Sequence, residues 1–394
     1  MISKKNIYIM YCITFLQGMV FYAPISTVFR QARGINIEQI FLLQSILSIV
    51  IIMAEIPLGY ISDKIGYKKA LIFSNITLFV SKIVFYKANS FLLFFCESIL
   101  MGISIAAASG CDIALIYESS DKKNGEVIFG KYLSIGSISF LLASLMSTYF
   151  IKISFDIAAL ATIFPHAICA ILTFFLKDIK CEYVSKKNMI EDFHEIKEFF
   201  SNKHIKSIFR LVIFTSLISS SIMATTVFLN QIKYTSVGIN FTMFGILNAI
   251  LQIMAVLSCK TYKLTEIFGR FKAFLFLLFL TNTGIFILIF TKSISITIIS
   301  MMIISGSHSM LAPIIIDIQN EQITKNRATT LSIYSMIENI ICAIVNILIG
   351  ITAKISLTCS LTICFIISII STIGICMIIT KKSCINENID ELEV

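Results

Sequence analysis

Apolar stretches of roughly 18–25 residues recur along the chain, separated by short charged breaks. They lie near 6–29, 38–61, 69–87, 91–117, 128–151, 154–176, 207–231, 240–258, 271–291, 293–316, 328–350 and 355–380. An α-helix rises 1.5 Å per residue, so about 20 such residues cross a hydrocarbon core of ~30 Å. The pattern predicts an all-α integral membrane chain of twelve transmembrane helices. Lys4 and Lys5 precede the first stretch, but it runs on to Phe29 and a second follows closely. That is a first span, not a cleaved signal peptide.

The longest polar segment, 177–206, falls in the middle and divides the spans six and six. The domains expected are a six-helix bundle over 1–176, a cytoplasmic linker over 177–206, a second six-helix bundle over 207–382 and a cytoplasmic tail over 383–394. The linker mixes Lys186, Lys187, Lys197 and Glu191, Asp192, Glu195, Glu198, which reads as a solvated connector with a short amphipathic helix near 189–201. Alternate breaks differ sharply in positive charge. With the N-terminus inside, 24 Lys and Arg fall on the cytoplasmic side and 7, Arg30 and Arg33 among them, on the outer side. The positive-inside rule then places both termini in the cytoplasm.

Composition agrees: 57% of the residues are hydrophobic and 14% charged, against ~45–50% and ~25% in soluble domains. A soluble enzyme, a nucleic-acid binder and a secreted disulfide scaffold are excluded on that ground. Eleven cysteines include no C-x-x-C, and the four histidines have no metal-ligand spacing. Neither a metal nor a cofactor is implied. Trp is absent, so an interfacial belt falls to tyrosines such as Tyr60, Tyr67, Tyr86, Tyr117, Tyr132, Tyr149 and Tyr234.

The connection between spans two and three reads Gly59, Asp63, Lys64, Gly66, Lys68 and Lys69, then Ala70 and Leu71. Gly59 and Gly66 suit close helix contact and a tight turn. Asp63 can cap the next helix or pair with a base, and the lysines hold the loop at the inner surface. In spacing, residue types and position this resembles the signature loop of the major facilitator superfamily. Glu266, Gly269, Lys272 and Ala273 repeat Asp63, Gly66, Lys69 and Ala70 at an offset of 203 residues. The resemblance implies two six-helix bundles related by a pseudo-two-fold axis along the membrane normal.

Ala54-Glu55 with Pro57 and Gly59, Ser109-Gly110 leading to Ala114, Tyr117 and Glu118, and the run from Arg327 to Ser332 resemble a bacterial efflux branch of that superfamily. The sequence departs from proton-coupled families in two places. Ser98 stands where they often carry an arginine, and 132–150 lacks the glycine-proline motif of antiporters.

An ionisable side chain at membrane depth costs ~2.5–3.5 kcal/mol even on the lenient insertion scale, so each is a functional candidate. Glu338, ten residues into span eleven, is the first choice for proton coupling, followed by Glu97, Glu55 and Asp112. Lys82 is expected to snorkel outward or to bridge Glu97. Polar stripes nominate a substrate cavity: Gln17 and Tyr22, Ser220, Asn248 and Gln252, His308, and Tyr334, Asn339 and Asn346. Ile333, Ile337, Ile340, Ile344 and Ile347 form the expected lipid face of span eleven.

The expected activity is proton-coupled efflux of a small amphipathic compound by alternating access, in a bacterial plasma membrane, by a monomer whose partners are its substrate, protons and lipid. Uptake by proton symport and a non-transporting receptor on the same fold are the alternatives. No P-loop lysine motif supplies ATP chemistry, and no nucleophile–base pair suggests an enzyme.

Overall fold

Span by span, the apolar stretches form helices. The computed structural model describes residues 4–120, 125–178, 205–321 and 327–390, with the side chains of Asp63 and of 125–127, 205–208, 257, 259, 320–321, 327–332 and 379–390 left undescribed. Most of the expected linker, including its helix near 189–201, lies outside the described residues, as does the end of the tail.

Among the described residues, eleven helical runs are long and apolar enough to cross a membrane: Lys4–Ala32, Ile37–Ser62, Tyr67–Lys87, Phe91–Ser119, Ile128–Ile153, Phe155–Phe174, Phe209–Ser236, Arg270–Phe290, Ile294–Gln319, Ile333–Ile355 and Leu357–Ile378. A shorter apolar helix, Phe241–Ala255, takes the eighth place, and a 3-10 turn over Val256–Lys260 extends it. There is no strand among the described residues. Side chains such as Met53, Leu133 and Phe290 stand about 70% exposed, which suits lipid and would be costly in water. This is a multi-pass membrane protein.

Several helices begin on side-chain caps. Asn36 and Gln39 form a reciprocal capping box at span two, with bonds of 2.8 and 3.0 Å. Ser154 accepts from the Ile157 amide at span six, and Asn240 from Thr242 before span eight. Each cap satisfies an amide that the helix itself cannot.

The chain divides into two compact units: Met1–Met189 with Tyr234–Ile253, and Ile190–Lys233 with Met254–Val394. In the first, Met10, Ile13, Ala70, Leu71, Cys111, Leu115 and Cys169 make one apolar core from spans one, three, four and six. Polar clasps surround it. The Asn6 amide donates to Ser119 Oγ and the Lys177 carbonyl while its oxygen accepts from the Lys177 amide. Ser74 and Ser104 each donate to the other's carbonyl, at 2.8 and 2.9 Å.

Span eight joins this unit through Gly245, where a Cβ would run into the Ser144 carbonyl and the Ser147 and Thr148 hydroxyls. Gly245→Ala is therefore expected to destabilise the protein by about 1–3 kcal/mol, the usual cost of overpacking. Gly59→Ala should leave stability unchanged or slightly raised, because a Cβ there meets nothing within 4 Å. Thermal unfolding of the two purified variants checks the contrast, and equal midpoints would refute the packing argument. In the second unit, Gly284 lets span nine close on Ile304, and Gly374 lies against the Phe214 ring.

Candidate transport site

The signature loop is a single backbone device. Gly66 has φ 91° and ψ 150°, a conformation open to glycine alone, and its amide closes span two by donating to the Ser62 carbonyl. Its carbonyl opens span three by accepting from the Ala70 amide. Gly269 repeats the same turn at φ 77° and ψ 151°. Lys64 lies over the Tyr60 ring at 4.2 Å, while Lys68 is half-buried and Lys69 exposed. Gly59 corrects the expectation of close helix contact, since a Cβ there would meet nothing within 4 Å.

Beside this loop, span four breaks at Gly110, whose φ is 76°. Ser109 Oγ donates to Glu55 Oε1 at 3.5 Å, and the buried Glu55 Oε2 has no partner. Asp112 is fully engaged: one oxygen accepts from the Ile113 amide and the other from the Tyr132 hydroxyl, each at 2.8 Å. It ties span four to span five.

The densest charge in the first unit lies near the other ends of its spans. Glu97 is 1% exposed and pairs with Arg30 Nη2 at 3.4 Å, leaving Glu97 Oε1 and Arg30 Nε without partners. Lys82, 3% exposed, neither snorkels nor bridges Glu97; its ammonium donates to the Tyr22 hydroxyl at 3.0 Å. Arg30 also lies over the faces of Phe85 and Phe94, at 5.1 and 5.6 Å. Tyr22 stacks on Phe85 at 3.9 Å, and Phe85 on Phe29 at 4.9 Å. His166 on span six is buried, bonds the Thr162 carbonyl through Nδ1 and lies within electrostatic reach of Lys82.

Span one is interrupted between Gly18 and Ala23, and Tyr22 sits in that break. The offset of 203 carries the break, residues 19–22, onto 222–225, which overlaps the start of a π-helical turn, Ala224–Leu229, in span seven. It also carries Arg30 onto Lys233, which is 6% exposed and donates to the Thr291 carbonyl at 2.8 Å.

Several proposed cavity residues have structural partners instead. Gln17 donates to Asn75 at 2.8 Å, and Asn248 to Ser144 Oγ at 2.7 Å. Gln252 is half-buried without a described bond. In the second unit, Ser220 and Tyr334 are buried, and His308 Nε2 meets Ser219 Oγ at 3.4 Å. Asn339 turns back to the Ser335 carbonyl, and Asn346 to Cys342 Sγ, leaving its own buried oxygen without a partner.

Glu338, expected to be buried, is exposed, with no hydrogen-bonding or ionic partner among the described residues. At 100° per residue it points roughly opposite Ile340, Ile344 and Ile347, which are 41–54% exposed. Ile333 and Ile337 depart from the expected lipid face, at 3% and 7% exposed. Lipid tails and neighbouring helices are equally apolar, so an isoleucine stripe does not tell one from the other.

Sequence reasoning missed Arg30. Its position four residues before the Gly34 turn read as an outer connection, yet the helix continues through Ala32 and buries it. The repeat offset held the clue, since Lys233 stands at the same place in the second half.

The fold is widely shared. A mutant form of the nucleoside transporter NupG superposes with a TM-score of 0.80 at 15% identity, covering 95% of this chain and 99% of that one. A D-xylose-proton symporter gives 0.74 at 12% identity, covering 93% and 97%. The human organic anion transporter MFSD10 gives 0.63 at 12%, covering 94% and 99%. No curated protein matches the sequence. The family model for the Major Facilitator Superfamily matches residues 7–346, and with the paired glycine turns and the twelve apolar helices it places the chain: this protein belongs to the major facilitator superfamily.

Proposed function

We propose that this protein is a secondary active transporter, not an enzyme, that exports a small amphipathic compound in exchange for protons by alternating access. Family membership supports transport, and one observation carries the coupling: Glu338 is a carboxylate in a membrane span with no partner among the described residues. An ionisable group at membrane depth, turned away from the exposed isoleucines of its helix and without a described partner, is best explained by a proton that comes and goes. Glu97, Glu55 and Asp112 are weaker candidates in that order, because each already has a bonding partner. The domain scheme proposed is two six-helix bundles joined by a cytoplasmic linker, in a monomer. Proton-driven uptake is the second reading, favoured by the solved symporter that shares the fold.

The test is a compound panel, scored for growth inhibition and accumulation in cells with and without the gene. Export predicts lower accumulation that recovers when the proton gradient is collapsed; uptake predicts the reverse sign. If no compound responds to the gradient, the reading fails.

Asp63 in the signature loop is proposed to latch one conformation of the carrier. Asp63→Asn should slow transport without lowering the amount of protein in the membrane, and a wild-type rate would remove the latch. The charge bias of the loops supports cytoplasmic termini in a bacterial plasma membrane. Tags after Val394 and within 183–190 should both be shielded in intact cells; external labelling of either would overturn that topology.

A further inference from the structure

Among the described residues, the fully buried charges of the first unit, Arg30, Lys82 and Glu97, do not balance. Arg30 and Glu97 pair with each other. Lys82 remains, 3% exposed, with no carboxylate among the described residues paired to it. A buried ammonium whose one described hydrogen bond goes to a phenol is poorly compensated, because a neutral hydroxyl returns little of the lost hydration. The donors are also in excess. The Tyr22 hydroxyl accepts from Lys82, so its own O–H is still to be given, and none of the described residues accepts it. Two of the three ammonium hydrogens are likewise unspent. What this arrangement lacks is an acceptor carrying one negative charge.

We propose that Lys82 and Tyr22 form a binding site for an aromatic or amphipathic monocarboxylate. The charge count selects the class: one surplus cation balances one carboxylate, whereas a phosphate dianion would leave a second buried charge. The body of the ligand is set by the walls, since Tyr22 and Phe85 stack at 3.9 Å and Phe94 meets Phe85 edge-on at 5.7 Å. His166, buried and within electrostatic reach of Lys82, is a further polar group nearby. The site is closed in this conformation, with Tyr22 6% exposed. Entry is provided by the break in span one, because Tyr22 sits between Gly18 and Ala23 and its ring can shift without unwinding either helical half. Discontinuous helices serve substrate sites in other transporters in this way. The proposal rests on the transport reading only in taking the bound acid for a substrate.

The experiment measures thermal unfolding of the purified full chain against benzoate, benzamide and inorganic phosphate. Benzoate should raise the midpoint saturably, while benzamide, its neutral counterpart, and phosphate should not. Lys82→Met should weaken the benzoate response by ~30-fold or more, the scale for losing one partner of a buried charge pair. In the absence of ligand that variant should unfold at the wild-type temperature or above it, because an uncompensated charge has gone. Tyr22→Phe should weaken the response several-fold, and the exposed Lys87→Met should leave it intact. Equal effects of benzoate and benzamide, no effect of either, a phosphate effect matching benzoate, or a full benzoate response in Lys82→Met would each overturn the site. If the benzoate response survives while no compound moves with the proton gradient, the transport reading falls and the site stands.

Discussion

Glu97→Gln is expected to cost the protein about 3–5 kcal/mol of stability, the scale for breaking a buried ion pair from one side. The reason lies in what remains. Arg30 is 5% exposed and would be left over the rings of Phe85 and Phe94 without a carboxylate. Aromatic faces return on the order of 2 kcal/mol to a desolvated cation, less than the pair loses, so they do not replace a carboxylate. Adding Arg30→Gln to the same chain should recover most of the loss, because two neutral groups of similar shape can bond each other. The measurement is a double-mutant cycle by unfolding of the purified protein. Additive losses in the double variant would show that the pair is not a coupled unit.

Glu338→Gln should have the largest effect on transport. The amide mimics a permanently protonated carboxyl, so substrate-driven proton flux in reconstituted vesicles should disappear while substrate binding and exchange persist. Stability should barely change, because Glu338 is exposed and without a described partner, so its replacement orphans nothing. This separates it from Glu97, whose replacement is expected to act first on stability. Unchanged proton flux in Glu338→Gln would move coupling to Glu97, then Glu55.

The fold was legible in the sequence because hydropathy is a local property. Twenty apolar residues spanning a membrane need no knowledge of their neighbours, and the Gly66 turn announces itself through spacing. Pairings across the bundle were not legible. Residue counting predicts that Lys82 snorkels outward or bridges Glu97, whereas the structure gives Glu97 to Arg30 and Lys82 to Tyr22. Depth along the membrane normal follows from residue counting, but rotation about each helix does not. Gln17 and Asn248 show the same limit: both are polar at mid-span, and both are spent on clasps within the first unit. Polarity marked them as unable to face lipid but could not say whether substrate or another helix receives them.

The Arg30–Glu97 pair also bears on how the protein is made. The two residues are 67 positions apart in the chain, which at ~5–20 residues per second is about 3–13 s of synthesis. For that interval span one carries an arginine near its end with no carboxylate to meet it, and snorkelling to the headgroups is the cheapest refuge. The buried position becomes affordable only when span four is inserted. Ribosome-bound chains halted before Glu97 should therefore hold Arg30 at the water interface, and the first bundle closes around that arginine only after its fourth helix has arrived.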